Sequence, residues 1–358
     1  MPSFRTGRVV GILEERDGLQ KVEVELGAGP ERAYVLTQLT GTVAGGDRVV
    51  INTTAVELGL GTGGWHFVHW NLEHDTWSEP GPGHIMKLRY TSLQADVGST
   101  EEHLEAELAE RTTIDGLPVV AAALHSQLPA IAVTIRALRP SARIAYVMTD
   151  GAALPLALSD VVANLREREL LDATITCGHA FGGDYEAVSI FSALAVARHI
   201  ARADVAVVVM GPGIVGTNSR LGFTGIEVGS VLDATAGLGG QPIACLRASH
   251  ADGRDRHQGI SHHTLTTLTM ATRSRVLIPI PAVGPPAEPE LLAQLVAARV
   301  ESRHDLGTYE IPDVLALFDA HDLQIASMGR PAADDPILFQ CAAAAGAAAV
   351  TPRGVSGA

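Results

Sequence analysis

Lysine is almost absent from this sequence of 358 residues: only Lys21 and Lys87 occur, and arginine carries nearly all of the positive charge. A Gly-Lys-Ser/Thr phosphate loop is therefore excluded, and Schiff-base chemistry would have to use one of these two residues. The formal net charge is −14. Because affinity for nucleic acid depends on neutralising phosphates, we expect no nucleic-acid partner.

Cysteine is scarce as well. Cys177, Cys245 and Cys341 are odd in number and widely spaced, which argues against a disulfide framework or a four-thiolate zinc site. No apolar run reaches the roughly 18 residues that span a bilayer, and the first residues contain no apolar segment of signal-peptide length. We therefore expect a cytoplasmic protein that does not bind membranes.

The first 78 residues are predicted to form a small antiparallel β-barrel or sandwich. Residues 22–26 alternate apolar and acidic side chains, which is the period of a half-buried strand. Glycine-rich turns separate five strand-like segments. These segments are 6–14, 19–26, 32–36, 48–52 and 65–70. Residues 59–64 match G-x-G-x-x-G, but a strand-like run follows where a dinucleotide site needs a helix, so we interpret them as a β-turn.

From residue 79 onward, strand-like and helix-like runs alternate. This rhythm predicts an α/β domain with a mainly parallel, doubly wound (Rossmann-like) sheet covered on both faces. The predicted strands are 85–90, 119–124, 143–148, 173–177, 205–210, 243–246 and 276–280. The predicted helices are 130–138, 156–171, 187–203 and 262–272, followed by C-terminal helices at 289–300, 311–322 and 337–350. The last helix can pack against the sheet or against a second subunit of a homo-oligomer.

Several runs of the sequence resemble one family. They are residues 52–64 (NTTAVELGLGTGG), 84–91 (HIMKLRYT), 178–184 (GHAFGGD) and 261–264 (SHHT). In these runs the chain resembles an uncharacterised bacterial family, domain of unknown function 3866. The resemblance extends over nearly the whole chain and supports the predicted boundaries, but it implies no particular chemistry.

Polar residues follow the predicted strands at the carboxyl edge of the sheet, where open parallel sheets bind their ligands. His179 follows one strand, and Asp150 and His125 follow two others. We interpret His179 as a candidate general acid or base, with Asp150 or Asp184 orienting it and His125 nearby. Glycines flank His179 and are candidate ligand contacts. They are Gly178, Gly182 and Gly183.

Each of these residues also has a structural interpretation. Asp150 and Asp184 suit helix N-caps or turns, Asp184 for a helix that opens there. His125 can hydrogen-bond a loop, and Cys177 is more typical of a small buried residue than of a nucleophile.

A second candidate lies in the glycine loop 211–220, which also matches G-x-G-x-x-G after a strand. Pro212 removes an amide and no helix starts promptly, so a dinucleotide loop is disfavoured. The loop can instead cradle a phosphate or carboxylate, or pack without any ligand. Its candidate ligand-binding residues are Gly211, Gly213, Gly216, Thr217, Asn218, Ser219 and Arg220.

A third candidate is a cluster of four histidines between residues 250 and 263. His250 and His257 could ligate a divalent metal ion. Ser261 is predicted to cap a helix, which would place His262, His263 and Thr264 beside free amides where they can contact an anion. An exposed polar loop is the third interpretation. Together these candidates predict an enzyme acting on a small anionic metabolite, such as a phosphorylated one; the alternative is a non-catalytic metabolite-binding or scaffold protein.

Overall fold

The computed structural model of the chain describes residues 1–27 and 29–351. These residues divide into two compact units, Met1–Gly98 and a second that begins at Ser99. The sequence places the boundary earlier, between residues 78 and 79. None of the helices in the described residues combines the length and the apolar character that crossing a bilayer demands.

The first unit is built on a closed five-stranded barrel. Its strands are β1 (Phe4–Arg16), β2 (Leu19–Glu25), β3 (Pro30–Val35), β4 (Arg48–Asn52) and β5 (Trp65–Asn71), in the order β1-β2-β3-β5-β4. β4 pairs antiparallel with β1, while β3 and β5 run parallel. Alternate side chains such as Val22, Val24, Val49 and Ile51 fill the interior, as the period of two predicts. All five predicted strands are confirmed.

The second unit contains an eight-stranded sheet in which every pairing is parallel. Its strands are β6 (Pro118–Ala121), β7 (Ile144–Met148), β8 (Ala173–Cys177), β9 (Tyr185–Ala187), β10 (Val205–Val208), β11 (Gln241–Ala244), β12 (Leu277–Pro281) and β13 (Asp305–Tyr309). Their order is β9-β8-β7-β10-β6-β11-β12-β13. The central strands are buried on both faces, as expected for continuous apolar runs.

Helices cover both faces of this sheet. One face carries α1 (Leu128–Leu138), α2 (Asp160–Glu167), α7 (Val314–Ala320) and α8 (Pro336–Val350). The other carries α3 (Ile190–Ala195), α4 (Glu227–Gly237), α5 (His262–Thr266) and α6 (Ala287–Ala297). Alternate strand residues serve the two cores, since Tyr146 packs with the first set and Val147 with the second. The doubly wound α/β fold is therefore confirmed.

The C-terminal helix α8 packs within its own unit. Its alanines are buried against α1, and a side chain at Gly346 would meet the Ile131 carbonyl oxygen at 2.8 Å. Small residues permit this close approach of two helices.

Three predictions about elements are corrected by the structure. Residues 85–90 form no strand of the large sheet; Met86–Lys87 pair only with Ala95–Asp96 in the first unit. Asp184 opens no helix, because the chain first forms β9, and Ser189 caps α3 instead. The edge strands β9 and β13 are additional to the predicted strands, because neither has a long apolar run.

Candidate functional site

The strand order creates a switch point in the middle of the sheet. The connection after β6 leaves over one face through α1, whereas those after β10 and β11 leave over the other through α4 and α5. Ligands of open α/β sheets bind in the crevice that such a divergence leaves at the carboxyl ends of the strands. Most of the predicted site residues lie on the loops that follow these strands.

The loops after β7 and β8 contact each other through backbone groups. The Asp150 carboxylate accepts a 2.9 Å hydrogen bond from the backbone N–H of His179. Gly178, with φ of +66°, packs so closely that a Cβ would lie 2.3 Å from Asp150 Oδ2. Asp150 and His179 are thus neighbours as predicted, but the carboxylate meets the histidine backbone and supports the turn.

Asp184 lies at the opposite edge of the sheet from His179. Its carboxylate accepts hydrogen bonds from Thr174, near the start of β8, and pairs with Arg166 at 2.6 Å. Gly182 and Gly183 carry the chain from the end of β8 back to the start of β9. The structure therefore does not bring Asp184 to His179.

Each ring nitrogen of His125 lies within hydrogen-bond distance of a partner. Its Nδ1 lies 3.0 Å from the Met210 carbonyl oxygen and its Nε2 lies 2.7 Å from Ser159 Oγ, the group that caps α2. Burial lowers the pKa of His125 to about 4, so the ring is neutral near pH 7. Its Nδ1 can donate to the carbonyl while its Nε2 accepts from the serine, which agrees with the structural interpretation of a histidine bonded to loops.

The glycine loop 211–220 folds largely onto itself. The Thr217 and Ser219 hydroxyls bond each other at 2.9 Å, and both bond Gly222. No α-helix begins until Glu227, which agrees with the rejection of a dinucleotide loop. Asn218 accepts a hydrogen bond from Arg256 at 2.6 Å, and this contact ties the loop to the histidine cluster.

A short ribbon brings the third group of predicted residues together. Ala248–Ser249 pairs antiparallel with Gly259–Ile260, so the chain returns to the end of β11 and the Ser261 N–H donates to the Arg247 carbonyl. Ser261 then caps α5, its Oγ accepting from the backbone N–H of His263. The predicted cap is confirmed, and His262 and His263 occupy the first turn.

Three of the four clustered histidines meet in space. One ligand atom from each of His257, His262 and His263 lies within 4.8 Å of the others. Burial lowers all three pKa values, that of His257 to about 4 and that of His263 to about 3, and nearby arginines add to the effect. His250 lies apart from them, with its Nε2 3.6 Å from a Glu290 oxygen on α6.

Arg247 is the buried cation of this region. It follows β11 and is 6% exposed, yet its guanidinium makes no hydrogen bond to any described residue. The Asp252 carboxylate, whose charge acts on Arg247, is engaged by Arg254 through two 2.8 Å hydrogen bonds, and the nearby Arg330 pairs with Asp335 at 3.4 Å. Burial, with the charges of Arg254 and Arg330, lowers the Arg247 pKa to about 10.

A small cavity at the switch point is bordered by Arg247. Its volume is about 20 Å³, room for about one water molecule. The wall combines Arg247 and His263 with apolar side chains such as Ile214 and Phe223, and Phe223 stacks on the His263 ring at 3.9 Å. A larger open cleft of about 430 Å³ is lined by Arg220 and His262.

Glu227, at the start of α4, is a perturbed carboxyl group at the same sheet edge. It hydrogen-bonds Thr149 and packs against Gly151 at the end of β7. Burial, with a contribution from Asp150, raises its pKa to about 7. A carboxyl group with such a pKa can take up or release a proton near neutrality.

Sequence reasoning did not select Arg247 or Glu227 as site residues. Arg247 had a usable signal, because it is a charged residue directly after an apolar strand. Glu227 sits in an ordinary helical sequence, and its pKa depends on Thr149 and Asp150 far away in the chain. No local pattern predicts that neighbourhood.

Fold and site together define an α/β protein with a barrel unit and a cationic, histidine-rich pocket at the carboxyl edge of its parallel sheet. The chain belongs to the family described as protein of unknown function (DUF3866), whose model matches residues 32–346. This finding confirms the family resemblance of the sequence. A comparison with curated proteins gave no match.

Proposed function

We propose that the chain is an enzyme that acts on a small anionic metabolite, and that Arg247 binds the anionic group. The observation that carries this proposal is an arginine residue that is 6% exposed and borders a cavity, and whose guanidinium has no hydrogen-bond partner among the described residues. A buried charge is costly unless it is paired. A phosphate or carboxylate group would supply the missing partner through the bidentate geometry that arginine favours.

The local charges support an anion at this place. Arg254 and Arg330 pair with the buried carboxylates of Asp252 and Asp335, whereas Arg247 forms no ion pair among the described residues, although the whole chain is strongly acidic. A local excess of positive charge in an acidic protein attracts small anions while the rest of the surface repels large ones. These charges support a small anionic metabolite as the ligand.

Glu227 supports an enzyme over a binding protein. Its pKa of about 7 suits a general base or acid, and residues close to it in sequence, Gly225 just before α4 and Val228 within α4, line the cavity beside Arg247. In the proposed mechanism Arg247 holds the anionic group and Glu227 exchanges a proton with the substrate.

A non-catalytic binding protein is the second candidate. The observation that favours it is that the carboxylates expected to orient His179 have structural contacts: Asp150 accepts the His179 backbone N–H, and Asp184 bonds Thr174 and Arg166. The two candidate functions differ in whether a bound metabolite is chemically converted. An enzyme would convert a metabolite that binds at Arg247, and its Glu227→Gln variant would bind but not convert it.

The test of the anion site compares two arginines. The melting temperatures of wild-type protein, Arg247→Met and Arg303→Met would be measured with phosphate, pyrophosphate, sulfate or citrate. The affinity of each anion that raises the melting temperature would then be measured by titration calorimetry. Arg303 is the matched control, because its guanidinium already bonds the carbonyls of Thr269 and Thr272. An anion present at about 100 times its Kd would stabilise the wild type by about 2.7 kcal/mol.

The expected results separate a binding arginine from a structural one. Without ligand, Arg247→Met should be as stable as the wild type or more stable, because an unpaired buried charge is removed. It should also lose all anion stabilisation. Arg303→Met should lose stability but keep the anion response. If no anion stabilises the wild type and Arg247→Met is destabilised, the proposal is wrong.

A further inference from the structure

The histidine cluster has a geometry that the anion site does not explain. The rings of His257, His262 and His263 touch one another, with centroid separations of 5.1, 5.1 and 4.1 Å. One nitrogen from each ring lies within 4.8 Å of the other two. Three imidazoles around a common point form the protein part of an open four-coordinate metal site.

Several of these nitrogens are buried without a partner. Both ring nitrogens of His263 and the Nε2 of His262 are inaccessible to solvent and make no hydrogen bond within residues 1–27 and 29–351. His263 as a whole is only 7% exposed. Leaving a buried polar atom unsatisfied costs about 1–3 kcal/mol. A ligand that accepts nitrogen lone pairs would remove this cost.

We propose that His257, His262 and His263 bind one divalent transition-metal ion, with zinc the best match. The donor set is entirely imidazole, because the nearby carboxylate of Asp252 is engaged by Arg254. Imidazole nitrogen suits zinc, copper, iron and nickel, whereas magnesium and calcium require oxygen ligands. This site uses side chains other than Arg247 and does not depend on the proposed anion binding.

Ser261 holds two of the three ligands in place. Its Oγ lies 2.7 Å from His257 Nδ1 and accepts from the backbone N–H of His263. With Nδ1 bonded to Ser261, His257 presents Nε2, whose present contact is a long 3.4 Å approach from Arg256. A fixed hydrogen bond on one ring nitrogen is the usual way in which proteins orient the other toward a metal.

The arginines beside the cluster determine what else the metal would bind. Arg247, Arg254 and Arg256 all lie close enough to lower the pKa of His262. Their positive charge opposes a bare cation and favours an anionic fourth ligand, such as hydroxide or an oxyanion. His262 also lines the open cleft of about 430 Å³, which gives this position access to solvent.

The experiment measures metal content and affinity on the full chain. Protein stripped with EDTA would be titrated with Zn²⁺ and, separately, with Co²⁺, whose visible spectrum reports tetrahedral nitrogen ligation. We expect one ion per chain by elemental analysis after gel filtration. His262→Gln, a change at a half-buried position, should weaken binding at least tenfold; Ser261→Ala should weaken it about tenfold as a positioning residue.

Two controls keep the metal site and the anion site distinguishable. His250→Gln alters an exposed histidine that faces Glu290 and should leave metal binding unchanged. Arg247→Met should retain the metal even where it loses oxyanion binding. Failure of the wild type to retain any ion, or equal weakening by His250→Gln and His262→Gln, would overturn the metal site. Neither result would bear on the response to oxyanions.

Discussion

Two groups of polar residues follow strands of the same sheet, and they differ in whether their hydrogen bonds are satisfied. After β7 and β8, Asp150 receives the His179 backbone N–H and packs against Gly178. After β11, neither the Arg247 guanidinium nor either ring nitrogen of His263 has a hydrogen-bond partner among the described residues. Position at the carboxyl edge is common to both groups. Buried groups without partners are the rarer feature, and they distinguish a site that awaits a ligand from one that supports a turn.

Gly178→Ala should have the largest effect in the first group. The new Cβ would lie 2.3 Å from Asp150 Oδ2, in a residue whose φ is +66°. Left-handed backbone costs a non-glycine residue about 1–2 kcal/mol, and the displaced carboxylate adds to it. We expect the free energy of unfolding to fall by about 3 kcal/mol in chemical denaturation.

Gly213→Ala is the matched control in the second group. Gly213 also has a positive φ, of +105°, but a Cβ there would meet no atom within 4 Å. It should lose only about 1–2 kcal/mol, the backbone part of the cost. Equal losses of stability in the two variants would mean that the Asp150 side chain moves aside at little cost. The two groups of residues would then differ less than the distances imply.

Glu227→Gln should change how stability depends on pH. The pKa of Glu227 is about 7 in the folded protein against 4.5 in the unfolded chain. Between these values the folded state binds more protons, so stability due to Glu227 is lost as pH rises from about 4.5 to 7. Each pKa unit corresponds to about 1.4 kcal/mol, which puts the loss on the order of 3 kcal/mol.

The measurement is denaturation of wild type and variant from pH 5 to pH 8. Relative to wild type, Glu227→Gln should gain stability across this range. Glu301→Gln, at an exposed carboxyl group, should follow the wild-type curve. Parallel curves for wild type and Glu227→Gln would show that the Glu227 carboxyl is ionised throughout and would remove it as a proton-transfer group.

The sequence predicted the sheet and its loops better than the contacts among them. Long apolar runs predicted six central strands, since burial on both faces leaves a strong local signal. The edge strand β9 lacks such a run. Where a helix was expected, the seven residues after β8 carry the chain back to the start of β9. Ser261 was predicted as a cap because capping depends on residues close in sequence.

Side-chain partners could not be predicted in the same way. Among the described residues Arg247 lacks an ion pair because Arg254 engages Asp252, and Arg330, whose charge also acts on Arg247, comes from the far end of the chain. Asp184 was expected beside His179, but the return of the chain to β9 places it at the opposite edge. Such competition for partners depends on tertiary structure.

Of these variants, Arg256→Gln should change global stability least. It also tests most directly whether the two groups of polar residues differ in how their loops are held. Arg256 donates to Asn218 at 2.6 Å and is the contact that ties the glycine loop to the histidine cluster. The pair is exposed, so global stability should change by no more than about 0.5 kcal/mol. The rate of amide hydrogen exchange in residues 214–222 should rise about twofold, because a loss of about 0.5 kcal/mol makes local opening of the loop about twice as frequent.

The control for this loop is Arg275→Gln, which removes an exposed ion pair with Asp305 and should leave exchange in the loop unchanged. If Arg256→Gln also leaves it unchanged, the bonds among Thr217, Ser219 and Gly222 alone hold the loop. The second group would then resemble the first in being fixed by its own internal contacts. Faster exchange would instead mean that the loop over His263 is held by one polar contact, which a ligand entering beside Arg256 can replace.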